Sequence, residues 1–290
     1  MIIAIDVGGT KIAAALLDGT EIIERREIPS VIHQNFTLLP ETVINLVKDW
    51  REQASAVAVA CTGQVTPTEV KFLSISTEAI LPLKARLSDA LSLPVSIIND
   101  AAAAAWAEYA IGGHTDVDTL VYITVSTGIG GGMIQNGNLV TSNDGFSAHL
   151  GHVSVQQPHQ HTQYCVCGRQ NCVEAIASGT AIARQASEIL GTDVSCKEVF
   201  TDHLDNPLIK KLLDRCADSV IDLIANIKAI TGTESIVIGG SVGLAAPFQA
   251  LIAQKVVNLP NIYSVKISQP VMKANADLIG AALYLRELNL

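Results

Sequence analysis

Apolar and polar positions alternate between two signatures along this chain. Residues 2–7 (IIAIDV) form a short apolar run rich in β-branched side chains that stops at Gly8-Gly9. Residues 12–17 (IAAALL) follow, then Asp18-Gly19, then residues 21–28. Short apolar runs bounded by glycine read as strands, and Asp-Gly between two of them signals a hairpin. The opening therefore reads strand, glycine turn, strand, hairpin, strand. Residues 40–53 switch period. Pro40 leads, Glu41 sits in the first turn, and Val43, Leu46, Val47 and Trp50 recur at helical spacing, which predicts a helix. A buried strand is expected at 55–61, ending at Thr62-Gly63, and a short helix at 83–92. Residues 95–98 read as a strand that ends at Asn99-Asp100, and the alanine-rich run 101–111 as a helix.

The opening pattern then returns. Residues 120–125 read as a strand, 126–132 as a glycine turn, 133–134 as a second strand, Asn136-Gly137 as a hairpin and 139–140 as a third strand. Two such units in one chain predict a duplicated α/β domain. Beyond them come long amphipathic helices at 173–190 and 206–230 and a strand at 235–238 ending in Gly239-Gly240-Ser241. A helix at 243–257, a strand at 262–268 and a closing helix at 275–288 complete the chain. No low-complexity linker divides it. The boundary is expected within 101–118, giving an N-terminal domain at 1–110 and a larger C-terminal domain at 111–274. The closing helix (275–290) is expected to pack back on the first.

Composition narrows the function classes. Of 290 residues, 49% are hydrophobic and 16% charged, which suits a compact enzyme or binding protein. The net charge of −9 and the lack of any basic run argue against nucleic-acid binding. The start, MIIAIDVGG, lacks a positive n-region, and the apolar run 101–107 is far short of a membrane span, so a cytoplasmic protein is expected.

Three stretches carry candidate chemistry. In DVGGTK, Gly8 and Gly9 allow close backbone approach to phosphate, Thr10 adds a hydroxyl, Lys11 a cation, and Asp6 can hold a Mg²⁺ hydration shell. In STGIGGG, Thr127, Gly128, Gly130 and Gly131 offer a second clamp, unless both are merely tight hairpins. The patterns GxxxxGK[ST] and GxGxxG are both absent, which counts against a P-loop kinase and a Rossmann dehydrogenase. Asp100, between strand and helix, suits either a general base in phosphoryl transfer or a helix N-cap. Finally, Cys165, Cys167 and Cys172 lie within eight positions, with His149 and His152 just before them. His152 is the leading fourth ligand for a Zn²⁺ knuckle; three reduced cysteines that happen to sit close are the alternative. His159 and His161 read as exposed or incidental, Trp106 and Tyr109 as core, and Glu108 as solvated or paired.

DVGGTK, Asn99-Asp100-Ala101, STGIGGG, HLGH and CVCGRQNCVE, in this order and over nearly the whole chain, resemble the ROK family of bacterial sugar kinases and repressors. The resemblance implies two actin-like, hexokinase-like (ribonuclease H-like) α/β domains with ATP and sugar in the cleft between them. It implies that Asp6, Gly8, Gly9, Thr10 and Lys11 serve the first phosphate motif, Thr127, Gly128, Gly130 and Gly131 the second, and Gly239, Gly240 and Ser241 the adenosine. Asn99 would bind sugar and Asp100 act as base; Gly63, His149, His152 and Glu174 would line the sugar, and His152, Cys165, Cys167 and Cys172 would bind structural zinc. The family's repressors carry a helix-turn-helix ahead of this part. The first strand here begins at residue 2, which with the acidic charge makes a kinase the expectation. The family's usual Glu-x-Gly-His is here His149-Leu150-Gly151-His152. That change, with NDAAAAAWAEY and CVEAIASG, is similar to members that phosphorylate N-acetylmannosamine at the 6-hydroxyl, in sialic acid breakdown. Another hexose, such as N-acetylglucosamine or glucose, is the first alternative and a non-catalytic sugar sensor the second. At 74–78, where sugar-binding Asn residues are usual, the chain reads SISTE, so Ser74, Ser76 or Thr77 would have to substitute. A homodimer is implied, with helices in 173–230 as candidate interface.

Overall fold

The computed structural model describes residues 1–75, 79–156, 163–272 and 275–288. Its first sheet holds β1 (Ile2–Val7), β2 (Lys11–Asp18), β3 (Glu21–Pro29), β4 (Ala56–Cys61) and, after the short β5 (Gln64–Val65), β6 (Val70–Lys71) and β7 (Ile80–Leu81), β8 (Val95–Asn99). The order is β3-β2-β1-β4-β8, with β1 antiparallel to β2 and parallel to β4. The second sheet holds β9 (Thr119–Val125), β10 (Ile129–Gln135), β11 (Asn138–Leu139), β12 (Ser235–Gly239) and β13 (Lys266–Ser268), ordered β11-β10-β9-β12-β13. Position by position the two orders correspond: a central strand carries a hairpin on one side and parallel strands on the other. The duplication expected from the glycine-bounded runs is thus present as two copies of one topology. A small sheet of β5, β6 and β7, absent from the sequence reading, is appended to the first.

Helices α1 (Ile32–Asn35), α2 (Leu39–Val47) and α3 (Leu83–Leu91) lie on the first half. The outer face of its sheet (Ile3, Ile5, Val57, Val59) packs on Leu39, Val43, Trp50, Leu83 and Leu87. The inner face is built mainly from alanines (Ala4, Ala13, Ala15, Ala58, Ala60), with Ile2, Leu17 and Ile98 among them, and this lets α10 (Ala276–Glu287) lie close against it through Leu278, Ala281, Ala282 and Leu285. Helix α4 (Asp100–Ile111) sits beside α10. Its Ala104, Ala105 and Trp106 face Leu120, Tyr122, Ile134 and Val237 of the second sheet, so α4 is shared by both halves. Outside the second sheet, α5 (Val173–Ala177), α6 (Gly179–Leu190), α7 (Cys196–Asp202), α8 (Pro207–Thr231) and α9 (Ala246–Val256) cover Val121, Ile123, Val125, Ile236 and Ile238. No described helix is long and apolar enough to cross a membrane.

Several boundaries differ from the sequence reading. The glycine turn expected at 126–132 is confined to 126–128. Gly130, Gly131 and Gly132 belong to β10, whose register with β9 is unbroken from Ile129 to Gln135. Their purpose is close approach. A Cβ on Gly130 would lie 3.0 Å from Ala101 Cβ, one on Gly132 2.5 Å from Ala105 Cβ, and one on Gly131 2.3 Å from Leu150 Cδ1. The helix expected at 173–190 is two helices, broken at Ser178, whose extended backbone ends α5 and whose hydroxyl caps α6. The α-helix expected at 40–53 turns into a 3-10 helix after Val47, and the strand expected at 262–268 is reduced to 266–268 behind a 3-10 turn. Trp106 is core, with its ring edge-on to Tyr284. Glu108 is fully buried rather than solvated; its carboxylate accepts the N–H groups of Val271 and Met272.

Candidate active site

Strands β1, β4 and β8 end side by side, and each delivers a candidate residue at its C-terminal end: Asp6, Thr62-Gly63 and Asn99-Asp100. Asn99 is the cap of α4, its Oδ1 accepting the Ala102 N–H at 3.1 Å. Its Nδ2 donates to the Gly63 carbonyl at 3.1 Å. Asp100 is therefore not the N-cap. Its Oδ1 accepts the adjacent Ala101 N–H at 2.8 Å, and the carboxylate does not reach the next turn of the helix as a cap would. Burial raises the Asp100 pKa; the Ala101 N–H and the Asn99 and Thr62 side chains oppose the rise. Burial and the neighbouring Asp100 together push Asp6 up to about 7, while Lys11 pulls the other way. Two neighbouring carboxylates that repel each other offer the oxygen donors a hard divalent cation takes. Lys11 donates to Glu27 on β3 at 3.2 Å. Gly8 N–H closes the first turn on the Lys11 carbonyl at 2.9 Å, with Gly9 and Thr10 between.

One residue of this group escaped the sequence reading. Asp277, in the first turn of α10, has its pKa raised by burial and by the charges of Asp6 and Asp100. An acid at a helix start is a common dipole partner. Only the return of α10 to the first sheet brings Asp277 to the other two.

The second turn is strapped from several sides. Ala101, next to Asp100, packs on Gly130, so Asp100 lies close to the start of β10 just after this turn. The Ser126 and Thr127 carbonyls accept the first N–H groups of α6, Gly179 at 2.7 Å and Thr180 at 3.2 Å, which explains the break at Ser178. Ser126 and Ser241 hydroxyls meet at 3.2 Å. The Val125 carbonyl accepts the N–H groups of Val242 and Gly243. The expected adenosine motif thus abuts the expected phosphate turn. Gly240 needs its glycine: its φ is +85° and a Cβ would lie 2.3 Å from the Val125 carbonyl. Gly239, at the end of β12, is pressed against the Tyr122 hydroxyl.

A loop from the second half reaches across to the first. Gln64 Nε2 donates to the Asp144 carbonyl at 2.6 Å, and Gly145 lies directly on Val65. Behind it, Phe146, His149 and His152 stack with rings nearly parallel, Phe146 to His149 at 4.6 Å. His149 Nε2 lies 3.1 Å from the Gly145 carbonyl, which can only accept, so this nitrogen carries the proton and Nδ1 is a bare acceptor. Burial, and then His152, lower its pKa and keep it neutral. Ser74 is exposed, whereas Ser76, Thr77, His159 and His161 lie outside the described residues.

His152, Cys165, Cys167 and Cys172 converge, their ligand atoms all within 4.8 Å of one another. Cys165 Sγ is 3.4 Å from His152 Nδ1 and Cys167 Sγ 3.6 Å from Cys172 Sγ. A tetrahedron with bonds of about 2.0–2.3 Å has edges of about 3.5–3.8 Å, so the donor set fits a thiophilic metal ion such as Zn²⁺. The Arg169 guanidinium donates to the His152 carbonyl at 3.0 Å and fastens the knuckle across its own loop. Glu174, two residues past Cys172, accepts the Ile129 N–H on Oε2 at 2.9 Å.

The chain is similar over nearly its whole length to known sugar kinases. An N-acetylmannosamine kinase of Shigella flexneri is 40% identical, with 97% of each chain covered. The ROK hexokinase of Thermus thermophilus superposes with a TM-score of 0.82 at 26% identity, covering 100% of this chain and 99% of that one. A ROK family glucokinase of Streptomyces griseus, solved with glucose and AMPPNP, superposes with a TM-score of 0.82 at 25% identity, with 99% of each covered. The fold is thus the actin-like, hexokinase-like one. A model of the ROK family matches residues 2–287, so this chain belongs to the ROK family.

Proposed function

We propose that this chain transfers the γ-phosphoryl group of ATP to the 6-hydroxyl of N-acetylmannosamine, the first kinase step in sialic acid breakdown. The observation that carries the chemistry is Asp100. Asn99 does the capping, and burial holds the Asp100 carboxyl above the usual carboxylate range, where a general base is more avid for a proton. Asp100 orients and deprotonates the sugar hydroxyl, and Asp6 holds the Mg²⁺ that accompanies ATP. That ion supplies charge neutralisation on the phosphates. Gly8, Gly9, Thr10 and Lys11 serve the phosphates from one side, and Thr127 and Gly128, backed by Gly130 and Gly131, from the other. Gly239, Gly240 and Ser241 serve the adenosine. Gly63, Asn99, His149, His152 and Glu174 form the sugar side, and His149, being neutral with a bare Nδ1, accepts where the usual Glu would bring a charge.

The substrate follows from the 40% identical relative, named N-acetylmannosamine kinase, and from His149 at the position of the family's Glu. The Cys₃His set holds Zn²⁺ structurally, since four protein ligands leave no open position for a reacting water. Residues 1–110 with 275–290 form one lobe and 111–274 the other, and they close on the substrates to exclude water. The enzyme is a cytoplasmic homodimer in this reading. The test is a kcat/KM panel over N-acetylmannosamine, N-acetylglucosamine and glucose, with sugar phosphate measured directly. The highest value on N-acetylmannosamine supports the proposal. A higher value on another hexose replaces the substrate, and ATP consumption without sugar phosphate removes the kinase.

A further inference from the structure

The hydrogen bond from Ile129 to Glu174 has a specific cause. Val125 and Ile129 face each other at the mouth of the β9–β10 hairpin, directly below the turn at 126–128. The two lone pairs of the Val125 carbonyl are engaged by Val242 and Gly243, and the N–H of Ile129 is engaged by a side chain instead, Glu174 Oε2. A backbone donor this close to a turn needs a partner. The approach is tight enough to dictate the neighbouring residues. A Cβ on Gly128 would lie 2.7 Å from Glu174 Oε2. From the other side, a Cβ on Gly151 would lie 2.0 Å from the Ile129 carbonyl and 3.3 Å from Glu174 Cβ. Gly151 adjoins His152 and Glu174 follows Cys172 by two, so the two chain segments that enter the knuckle grip the peptide at Ile129 between them.

We infer that Glu174 is a positioning residue for the nucleotide: its carboxylate holds the Ile129 N–H and so fixes the turn at 126–128 in the shape that receives phosphate. This rests on the kinase reading above, and it gives Glu174 a task separate from contact with the sugar. The sign of the effect separates this from simple charge. Phosphate is repelled by a nearby carboxylate, so electrostatics alone predicts that removing the charge tightens nucleotide binding. A tether predicts the opposite for any side chain that cannot reach Ile129, and no change for one that can.

The experiment is calorimetric titration of Mg²⁺-AMPPNP into full-length protein without sugar, with N-acetylmannosamine titrated separately without nucleotide. Glu174→Ala is expected to weaken nucleotide binding at least tenfold, the loss that a hydrogen bond to a charged acceptor represents. Glu174→Asp keeps the charge but falls short by one methylene, and is expected to weaken it as well; it carries the comparison if the alanine variant does not fold. Glu174→Gln retains an acceptor oxygen at full reach and is expected to stay within about threefold of the parent, even where its sugar affinity falls. Unchanged nucleotide affinity in Ala and Asp overturns the inference, as does tighter binding in Ala, or a loss in Gln equal to that in Ala. A parent that neither binds the nucleotide nor phosphorylates a sugar overturns the kinase reading instead.

Discussion

Gly280→Ala offers a direct test of how the two halves are joined. Gly280 lies in the middle of α10, where helix propensity alone favours alanine by about 1 kcal/mol. The structure predicts the reverse. A Cβ at this position would lie 1.9 Å from the Ala103 carbonyl oxygen, 2.5 Å from its carbon and 3.2 Å from Ala103 Cα. All three are backbone atoms of α4, so no rotamer relieves the clash. Restoring the 3.0 Å that real Cβ atoms respect parts the helices by about 1 Å. A gap of that size forfeits a quarter to a half of the dispersion energy across the α4–α10 contact, and overpacking of this kind costs about 1–3 kcal/mol. Against the propensity gain, a net loss of up to about 2 kcal/mol is expected, or up to about 8 °C in Tm for a chain of this size. Calorimetry and urea unfolding measure it. Because α4 carries Asp100 and α10 carries Asp277, kcat should fall more than the stability loss explains at 25 °C. A variant with a higher Tm would refute the close crossing and leave propensity as the deciding effect.

Asp100→Asn should lower kcat by about 10²–10⁴-fold with sugar affinity within about threefold of the parent. The acid limb of the parent's kcat/KM profile should lie above the ordinary carboxylate range, because the base must be ionised and burial raises its pKa; a limb near pH 4 or near-normal kcat in the variant refutes the assignment. Asp6 titrates at about 7 when folded and near 3.9 when unfolded. The folded chain therefore holds a proton that the unfolded chain has released, and this contribution to stability, full below about pH 4, is lost as pH rises through 7. Asp6→Asn should accordingly raise Tm at pH 8 and leave it unchanged at pH 4 while turnover collapses; equal Tm values at both pH would contradict the burial. His149→Glu should shift sugar preference while leaving bound zinc, measured by elemental analysis, unchanged. Zinc lost with preference intact would mean that His149 and His152 have been assigned each other's roles.

Much of the site was legible because it is local. Asp6, Gly63, Asn99 and Asp100 are recognisable as strand ends from the apolar runs before them, and the spacing of Cys165, Cys167 and Cys172 keeps three thiols within one short loop. Gly130, Gly131 and Gly132 of STGIGGG, expected in the turn, lie in β10 for an equally physical reason. Glycine in a turn and glycine under a helix look alike in sequence, and only Ala101, Ala105 and Leu150, distant in the chain, reveal that Gly130, Gly131 and Gly132 serve close packing. Whether Asp100 caps α4 was likewise decided through space: the Gly63 carbonyl takes the Asn99 amide, and Asn99 Oδ1 accepts the Ala102 N–H as the cap.

The sequence by itself determined the repeated strand pattern, the strand ends that carry the carboxylates and the thiol spacing of the knuckle, since each depends on side chains within a few residues of one another. Tertiary structure alone decided that Asp277 joins Asp6 and Asp100, that Glu174 reaches Ile129 and that Gly280 lies on Ala103. Each of these is a through-space approach between segments far apart in the chain, set by how closely alanine- and glycine-lined faces can pack.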